Sequence, residues 1–392
     1  MLNTSVSPWP SYGDEEVEAA TQILRSGKVN QWTGEHVRAF ETEFAAFADC
    51  AHAVAVANGT LALDLALRAL DIGPGDEVIV TPRTFIASAS CVVNAGATPV
   101  FADVDRDSGN ITPATIQPVV SERTKAIIPV HLAGWPCDMA GIMELAAARG
   151  ISVIEDCAQA HGARIDGRSV GSFGHVGAWS FCQDKIMTTG GEGGMVTCND
   201  PSLWKRMWSF KDHGKSWDAV FEREHPPGFR WLHEDFGTNW RMLEIQAAIG
   251  RIQIGRMPDW TRRRAAIAAR YAEVLAPFEN VVRVPTISDR FEHAWYRFYA
   301  YVRPEGLREA WDRDRIVAEV TTRGVPLMQG SCSEVYLEGA FEGTGWRPAQ
   351  RLPSAQELGQ TSLMFLTHPT LSNDDIERII VAVTDVLKDA IR

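Results

Sequence analysis

Between Val54 and Glu155, short apolar runs alternate with segments of helical periodicity, and no feature of the chain constrains its fold more. Val54-Ala55-Val56-Ala57 reads as a strand and Leu61 to about Leu70 as an Ala/Leu-rich helix. The strand pattern returns at Glu77-Val78-Ile79-Val80-Thr81, Thr98-Pro99-Val100-Phe101-Ala102, Lys125-Ala126-Ile127-Ile128-Pro129-Val130 and Ser152-Val153-Ile154-Glu155, with helices expected over 86–94 and 139–149. These strands are apolar throughout, not at alternate positions, so both of their faces must be covered. That argues for a mostly parallel sheet flanked by helices. Ligands of such sheets sit beyond the carboxyl ends of the strands. Asn58-Gly59-Thr60 and Asp156 both follow strand ends, and one site can contain them.

The remainder extends this plan. Residues 34–48 read as a helix with Phe40, Phe44 and Phe47 on one face. Residues 242–275 form a long helical pattern in which Arg262, Arg263 and Arg264 read as a solvated charge run. Trp295 to Val302 alternates like a half-exposed strand. A helix over 308–323, a Gly-rich loop over 339–347 and a closing helix over 373–388 complete the chain. The expected division is a large domain over residues 1–260 and a smaller α/β domain over 261–392, with the option that the N-terminal segment joins the small domain.

Composition excludes several classes. A formal charge of −12 argues against nucleic-acid and anionic-membrane partners, which want a basic face. No apolar run approaches the length of a membrane span, and Met1-Leu2-Asn3-Thr4-Ser5 lacks the basic start and apolar core of a leader. A cytoplasmic protein is the expectation. The 7 cysteines are scattered without metal-ligand spacing and read as reduced core residues, Cys182 being the one to watch. No metal is expected.

The chemistry concentrates in Ser180-Phe181-Cys182-Gln183-Asp184-Lys185, which leads through Ile186-Met187-Thr188-Thr189 into Gly190-Gly191-Glu192-Gly193-Gly194. Upstream, Val153-Ile154-Glu155-Asp156 ends an apolar strand on an acid. A lysine amine, a buried carboxylate and a small hydroxyl are the groups that pyridoxal 5'-phosphate needs: a Schiff-base partner, an anion for its pyridinium nitrogen and a phosphate ligand. The bland alternatives are a surface lysine and an aspartate serving as a helix N-cap. A nicotinamide-dependent dehydrogenase is disfavoured, since Asn58-Gly59-Thr60 offers one glycine where that fingerprint needs three.

In order and spacing, these segments resemble the DegT/DnrJ family of sugar aminotransferases. The likeness continues through Thr84-Phe85-Ile86-Ala87-Ser88, Gly96-Ala97-Thr98-Pro99-Val100-Phe101-Ala102-Asp103-Val104-Asp105, Pro129-Val130-His131-Leu132-Ala133-Gly134, Cys157-Ala158-Gln159-Ala160-His161-Gly162 and Gly237-Thr238-Asn239-Trp240-Arg241-Met242. It implies the α/β fold type I of the pyridoxal-phosphate transferases, with a large mostly parallel domain and a smaller C-terminal one. Lys185 would carry the internal aldimine, desolvation and nearby positive charge keeping its amine deprotonated. Asp156 would pair with the pyridinium nitrogen, and Gln159 would reach the phenolic oxygen. Ser180 with the turn at Gly59, Thr60 and Leu61 would hold the phosphate, and Phe85 would stack on the ring unless it is core. Asn239 would reach the phosphate of the neighbouring subunit in a homodimer, its alternative being a helix N-cap. His161 stands near the site or in the structure behind it. Arg241 serves substrate or structure.

The resemblance implies transfer of an amino group from L-glutamate to a nucleotide-linked keto-sugar, with pyridoxamine 5'-phosphate as the intermediate form of the cofactor. Alternatives are a keto-cyclitol or free keto-sugar acceptor, a sugar dehydratase, and a cofactor-binding regulator without turnover. Lys185 disfavours the dehydratase, whose relatives carry histidine there. The chain departs from the family pattern at Cys182-Gln183-Asp184, where a His-Pro-X triplet is common, in an extra residue of the glycine run, and at Leu363 to Pro369. His293, Trp295, Tyr296 and Arg297 are placed where the second domain approaches the substrate.

Overall fold

The computed structural model describes residues 6–392. Residues 1–5, on which the reading of the chain's start rested, lie outside the described residues. Among the described residues, no helix is long and apolar enough to cross a membrane.

The expected sheet is present. Seven strands lie in the spatial order His52–Val56, Gly194–Cys198, Val176–Ser180, Ser152–Asp156, Thr124–Ile128, Glu77–Val80 and Thr98–Phe101. Neighbours from Val176–Ser180 to Thr98–Phe101 pair in parallel, while Gly194–Cys198 runs antiparallel to both of its neighbours. The continuous apolar strands now have their reason. Ala53, Ala55, Ile79, Ile127 and Val153 point into one core, and Val54, Val56, Val78, Val80, Ala126, Ile128 and Ile154 into another on the opposite face. Helices cover both faces, among them Gly59–Ala69, which buries Ala62, Leu63, Leu65, Ala66 and Leu67.

A third core lies around an antiparallel sheet of Val282–Arg283, Arg297–Val302 and Ser362–Leu366, backed by the helices Arg313–Thr322 and Asn373–Ala390. The 32-residue helix Glu244–Leu275 joins the two regions: Ala247 and Met257 belong to a large-sheet core, Ile267, Tyr271 and Leu275 to the third. Core membership therefore changes between Met257 and Ile267. Val6 packs into the third core, and the Ser7 hydroxyl donates to Asp375 Oδ2 at 2.6 Å, which ties the N-terminal segment to this second region.

Several expectations are corrected. Arg264 is not part of a solvated run: it is fully buried, because it shares the inward helix stripe of Ile267, Ala268 and Tyr271. The expected helix over 308–323 begins only at Arg313, where Asp312 Oδ1 accepts from the Arg315 amide at 2.8 Å and caps it. The strand expected from Trp295 begins at Arg297, since Trp295 has the left-handed φ of 50°. Cys332 is exposed and so is not a core cysteine.

Candidate active site

The site gathers at the carboxyl end of the large sheet. Asp156 and Ser180 are the last residues of adjacent parallel strands. Gly59 opens the helix that follows the first strand, and it lies so close to Ser180 that a Cβ on it would meet Ser180 Cβ at 2.5 Å. Asn58 caps this helix, its Oδ1 accepting from the Leu61 amide at 3.0 Å. The Leu61 amide is thus engaged by the cap, and the amides of Gly59 and Thr60 are the first-turn donors left beside the Ser180 hydroxyl.

Asp156 is buried. Its Oδ2 accepts from the Ser88 hydroxyl at 2.7 Å and its Oδ1 from the Ala158 amide at 3.1 Å. Burial raises its pKa above the usual carboxylate range despite these bonds. No ion pair among the described residues includes it. A carboxyl group held under those conditions is prepared for a cation, as the protonated ring nitrogen of the cofactor would be. Gln159 is buried nearby in sequence, with Oε1 accepting from the Ala133 amide at 2.7 Å. Phe85 is 69% exposed, so it is not core and its face is open to a ligand.

Lys185 follows the strand ending at Ser180, its side chain 17% exposed. Trp9 Nε1 donates to its backbone carbonyl at 2.9 Å and pins the loop. The electrostatics differ from the expected desolvated, cation-flanked amine. Burial lowers the Lys185 pKa, but Tyr296, Asp184 and Cys182 outweigh it and the net shift is upward. Asp184 Oδ1 lies 3.4 Å from Nζ. Tyr296 and Arg297, expected near the substrate, do reach this lysine's surroundings: Nζ is 5.3 Å from the Tyr296 ring centroid.

His161 is placed away from solvent, fully buried among Phe44, Trp179 and Phe181, and burial pulls its pKa down to about 3. It is a neutral member of that aromatic core. Arg241 Nη1 pairs with the buried Asp212 Oδ1 at 2.7 Å, which gives it a structural partner. Asn239 is exposed and is not an N-cap, because the helix after it starts at Glu244 with Leu243 in the cap position. Its neighbour Trp240 accepts from the Ala57 amide at 2.9 Å, so the segment runs beside the turn at Asn58. His131, Glu155 and Cys157 offer ligand atoms within 4.8 Å of one another. Yet Glu155 already accepts from His131 and from the amides of Gly171, Phe173 and Gly174, which makes it a hydrogen-bond hub.

Sequence reasoning missed Asp184 as a partner of Lys185, registering it only as a departure from a pattern. It missed Trp9 altogether, which lies 176 residues from Lys185 and has no local signal.

The sequence profile of the DegT/DnrJ/EryC1/StrS aminotransferase family matches residues 10–384. An X-ray structure of the aminotransferase from Psychrobacter cryohalolentis superimposes with a TM-score of 0.97 at 59% identity, covering 98% of this chain and 99% of that one. Spore coat polysaccharide biosynthesis protein SpsC of Bacillus subtilis (strain 168) is 36% identical, over 97% of this chain and 96% of its own. The dTDP-3-amino-3,4,6-trideoxy-alpha-D-glucose transaminase of Streptomyces venezuelae is also 36% identical, over 95% and 93%.

Proposed function

The chain belongs to the DegT/DnrJ/EryC1/StrS aminotransferase family, and from that premise we propose that it moves the amino group of L-glutamate to a nucleotide-linked keto-sugar. The fold is that of the pyridoxal-phosphate transferases of fold type I, and the enzyme is an aminotransferase. The observation that carries the reading is the juxtaposition of a buried Asp156, which makes no ion pair among the described residues, with Ser180, a helix N-terminus and Lys185 at the carboxyl end of one sheet. The Streptomyces relative, named for a dTDP-linked amino sugar, supports a nucleotide-linked acceptor.

In this reading Ser180 Oγ and the Gly59 and Thr60 amides hold the cofactor phosphate at the positive end of a helix. The bound cofactor supplies an electron sink for the carbanion formed when the substrate loses its proton. Asp156 keeps a positive charge on the ring nitrogen, Gln159 hydrogen-bonds the ring's phenolic oxygen, and Phe85 covers one ring face. Lys185 would hold the cofactor at rest and, once its amine is freed, would carry the proton between the substrate carbon and the cofactor. Exposed Phe229, Trp231 and Phe236 precede Asn239 in the chain, and we assign this apolar segment to a homodimer in which Asn239 reaches the partner's phosphate site.

The test is direct. Isotope-labelled L-glutamate is incubated with the enzyme, pyridoxal 5'-phosphate and a panel of nucleotide-linked keto-sugars, and products are read by mass spectrometry. Label appearing in an amino sugar supports the proposal. Label passing only to a free keto-sugar or keto-cyclitol replaces the acceptor, and no transfer from glutamate to any acceptor refutes the reading.

A further inference from the structure

Asp184 and Lys185 are sequence neighbours whose side chains converge on the same aromatic ring. Asp184 Oδ1 lies 3.4 Å from Lys185 Nζ. Its other oxygen, Oδ2, accepts from the Tyr296 hydroxyl at 2.5 Å, and Arg297 Nη2 stands 4.0 Å from it. The Arg297 guanidinium in turn covers the Tyr296 ring at 4.1 Å, and its Nη2 donates to the Tyr296 hydroxyl at 3.5 Å. The acid is thus held from the second region of the fold while its free edge faces the lysine. Tyr296 is buried and the Arg297 side chain only 12% exposed, so packing fixes both holders, while the Asp184 side chain between them and the lysine is 49% exposed and kept in place by its bonds to them.

We propose that Asp184 is a positioning residue that pairs with the Lys185 ammonium formed when the lysine accepts the substrate's proton, and that Tyr296 and Arg297 hold it there. The proposal rests on Lys185 being the cofactor lysine. In the step concerned, the substrate C–H bond breaks heterolytically. The proton joins the Nζ lone pair and the electron pair stays with the carbon. A neutral amine thereby becomes a cation in a mostly buried place, at a cost that an adjacent carboxylate offsets. When the proton is handed on to the cofactor, as amino transfer requires, the amine becomes neutral again and Asp184 stays charged.

The other groups facing this amine do not supply that pairing. Cys182 on the same loop and Asp156 on its strand bear on it, but Asp156 is committed to Ser88 and the Ala158 amide. His161, behind it, is neutral. Arg297 is a cation near the pair, and Arg264, on the long helix, bears on Arg297. Asp184 keeps its carboxyl charged: burial opposes this, but Lys185, Tyr296 and Arg297 outweigh burial and the pKa is lowered.

The test is competitive labelling of the full-length chain freed of cofactor, with acetic anhydride across a pH series, the Lys185 peptide being read by mass spectrometry. Asp184→Asn should move the labelling midpoint to lower pH. Below the midpoint, modification should then run about tenfold faster for every pH unit that the midpoint falls. Arg297→Met releases the acid from its clamp and should move the midpoint the same way by less, while Asp184→Glu, which keeps a carboxylate, should stay near wild type. Rescue by the conservative carboxylate is not what a general loosening of the loop produces. In the loaded enzyme, the acid limb of the kcat profile of Asp184→Asn should move down with the labelling midpoint. An unmoved midpoint in Asp184→Asn, or a fall in Asp184→Glu as large as in Asp184→Asn, overturns the proposal. Because the labelling uses no cofactor, failure of Lys185 to take up pyridoxal phosphate would count against the functional reading and leave this result distinct.

Discussion

Gly59 sits against Ser180 so tightly that no side chain fits between them, a Cβ there meeting Ser180 Cβ at 2.5 Å. The closeness brings the first amides of one helix to the hydroxyl at the end of a strand from another part of the chain.

Gly59→Ala should therefore push the helix start away from Ser180. Losing one charge-assisted bond to phosphate weakens cofactor affinity about tenfold to a hundredfold, and overpacking costs ~1–3 kcal/mol of stability. Pyridoxal-phosphate titration followed by absorbance, alongside urea unfolding, measures both. Unchanged affinity would remove this turn from the phosphate site.

Asp156 gives a prediction with a sign. Burial raises its folded-state pKa, so the folded chain binds this proton more tightly than the unfolded one. The stability it contributes is full below the unfolded carboxylate range and is lost as pH rises through the raised value. Cofactor-free Asp156→Asn should then melt above wild type at neutral pH, with the gap closing in acid. The same variant should bind cofactor more weakly and lose turnover by on the order of a hundredfold. Melting curves at several pH values, with and without cofactor, check the pair of opposite effects.

Asp212 behaves in the reverse sense. It is fully buried and bonded to Gln31, Trp32, Lys215 and Arg241. Burial opposes its charge, but Lys211, Lys215 and Arg241 outweigh it and its pKa is lowered. Its contribution is present above the unfolded carboxylate range and is lost as pH falls through the lowered value. Asp212→Asn should cost ~3–5 kcal/mol near neutrality, where it leaves buried cations unpaired, and the difference from wild type should shrink below about pH 4. Urea unfolding at two pH values reads this out.

Trp231, 80% exposed and edge-on to Phe229 at 4.8 Å between centroids, tests the assembly. If this segment seats on a second copy, Trp231→Ala should cost ~2 kcal/mol of association and raise the monomer fraction in sedimentation analysis. Wild-type chain sedimenting as a monomer would end the shared-site proposal for Asn239.

How far the chain could be read follows from where each signal resides. The sheet was legible because burial on both faces writes itself into runs such as Val78-Ile79-Val80, whose residues alternate between two cores. Ser362–Leu366 and Gly194–Cys198 were not foreseen as strands, since pairing with distant strands decides them and five residues carry little periodicity. Arg264 was misplaced because three consecutive arginines look like a charged surface, whereas helical phase turns one of them inward. Asp156, Ser180 and Lys185 stood out because a strand end, a hydroxyl and a lysine fall in one local pattern. The Asp184 clamp depends on Tyr296, 112 residues away. Trp9 likewise acts through a long-range bond that no local pattern announces.

The most direct measurement is borohydride reduction of the chain loaded with pyridoxal 5'-phosphate, followed by peptide mass spectrometry, before and after excess L-glutamate. The account predicts cofactor fixed on the peptide bearing Lys185, lost when glutamate is added first, and no such product from Lys185→Ala. Cofactor fixed on a different lysine, or full transaminase turnover by Lys185→Ala, would contradict it.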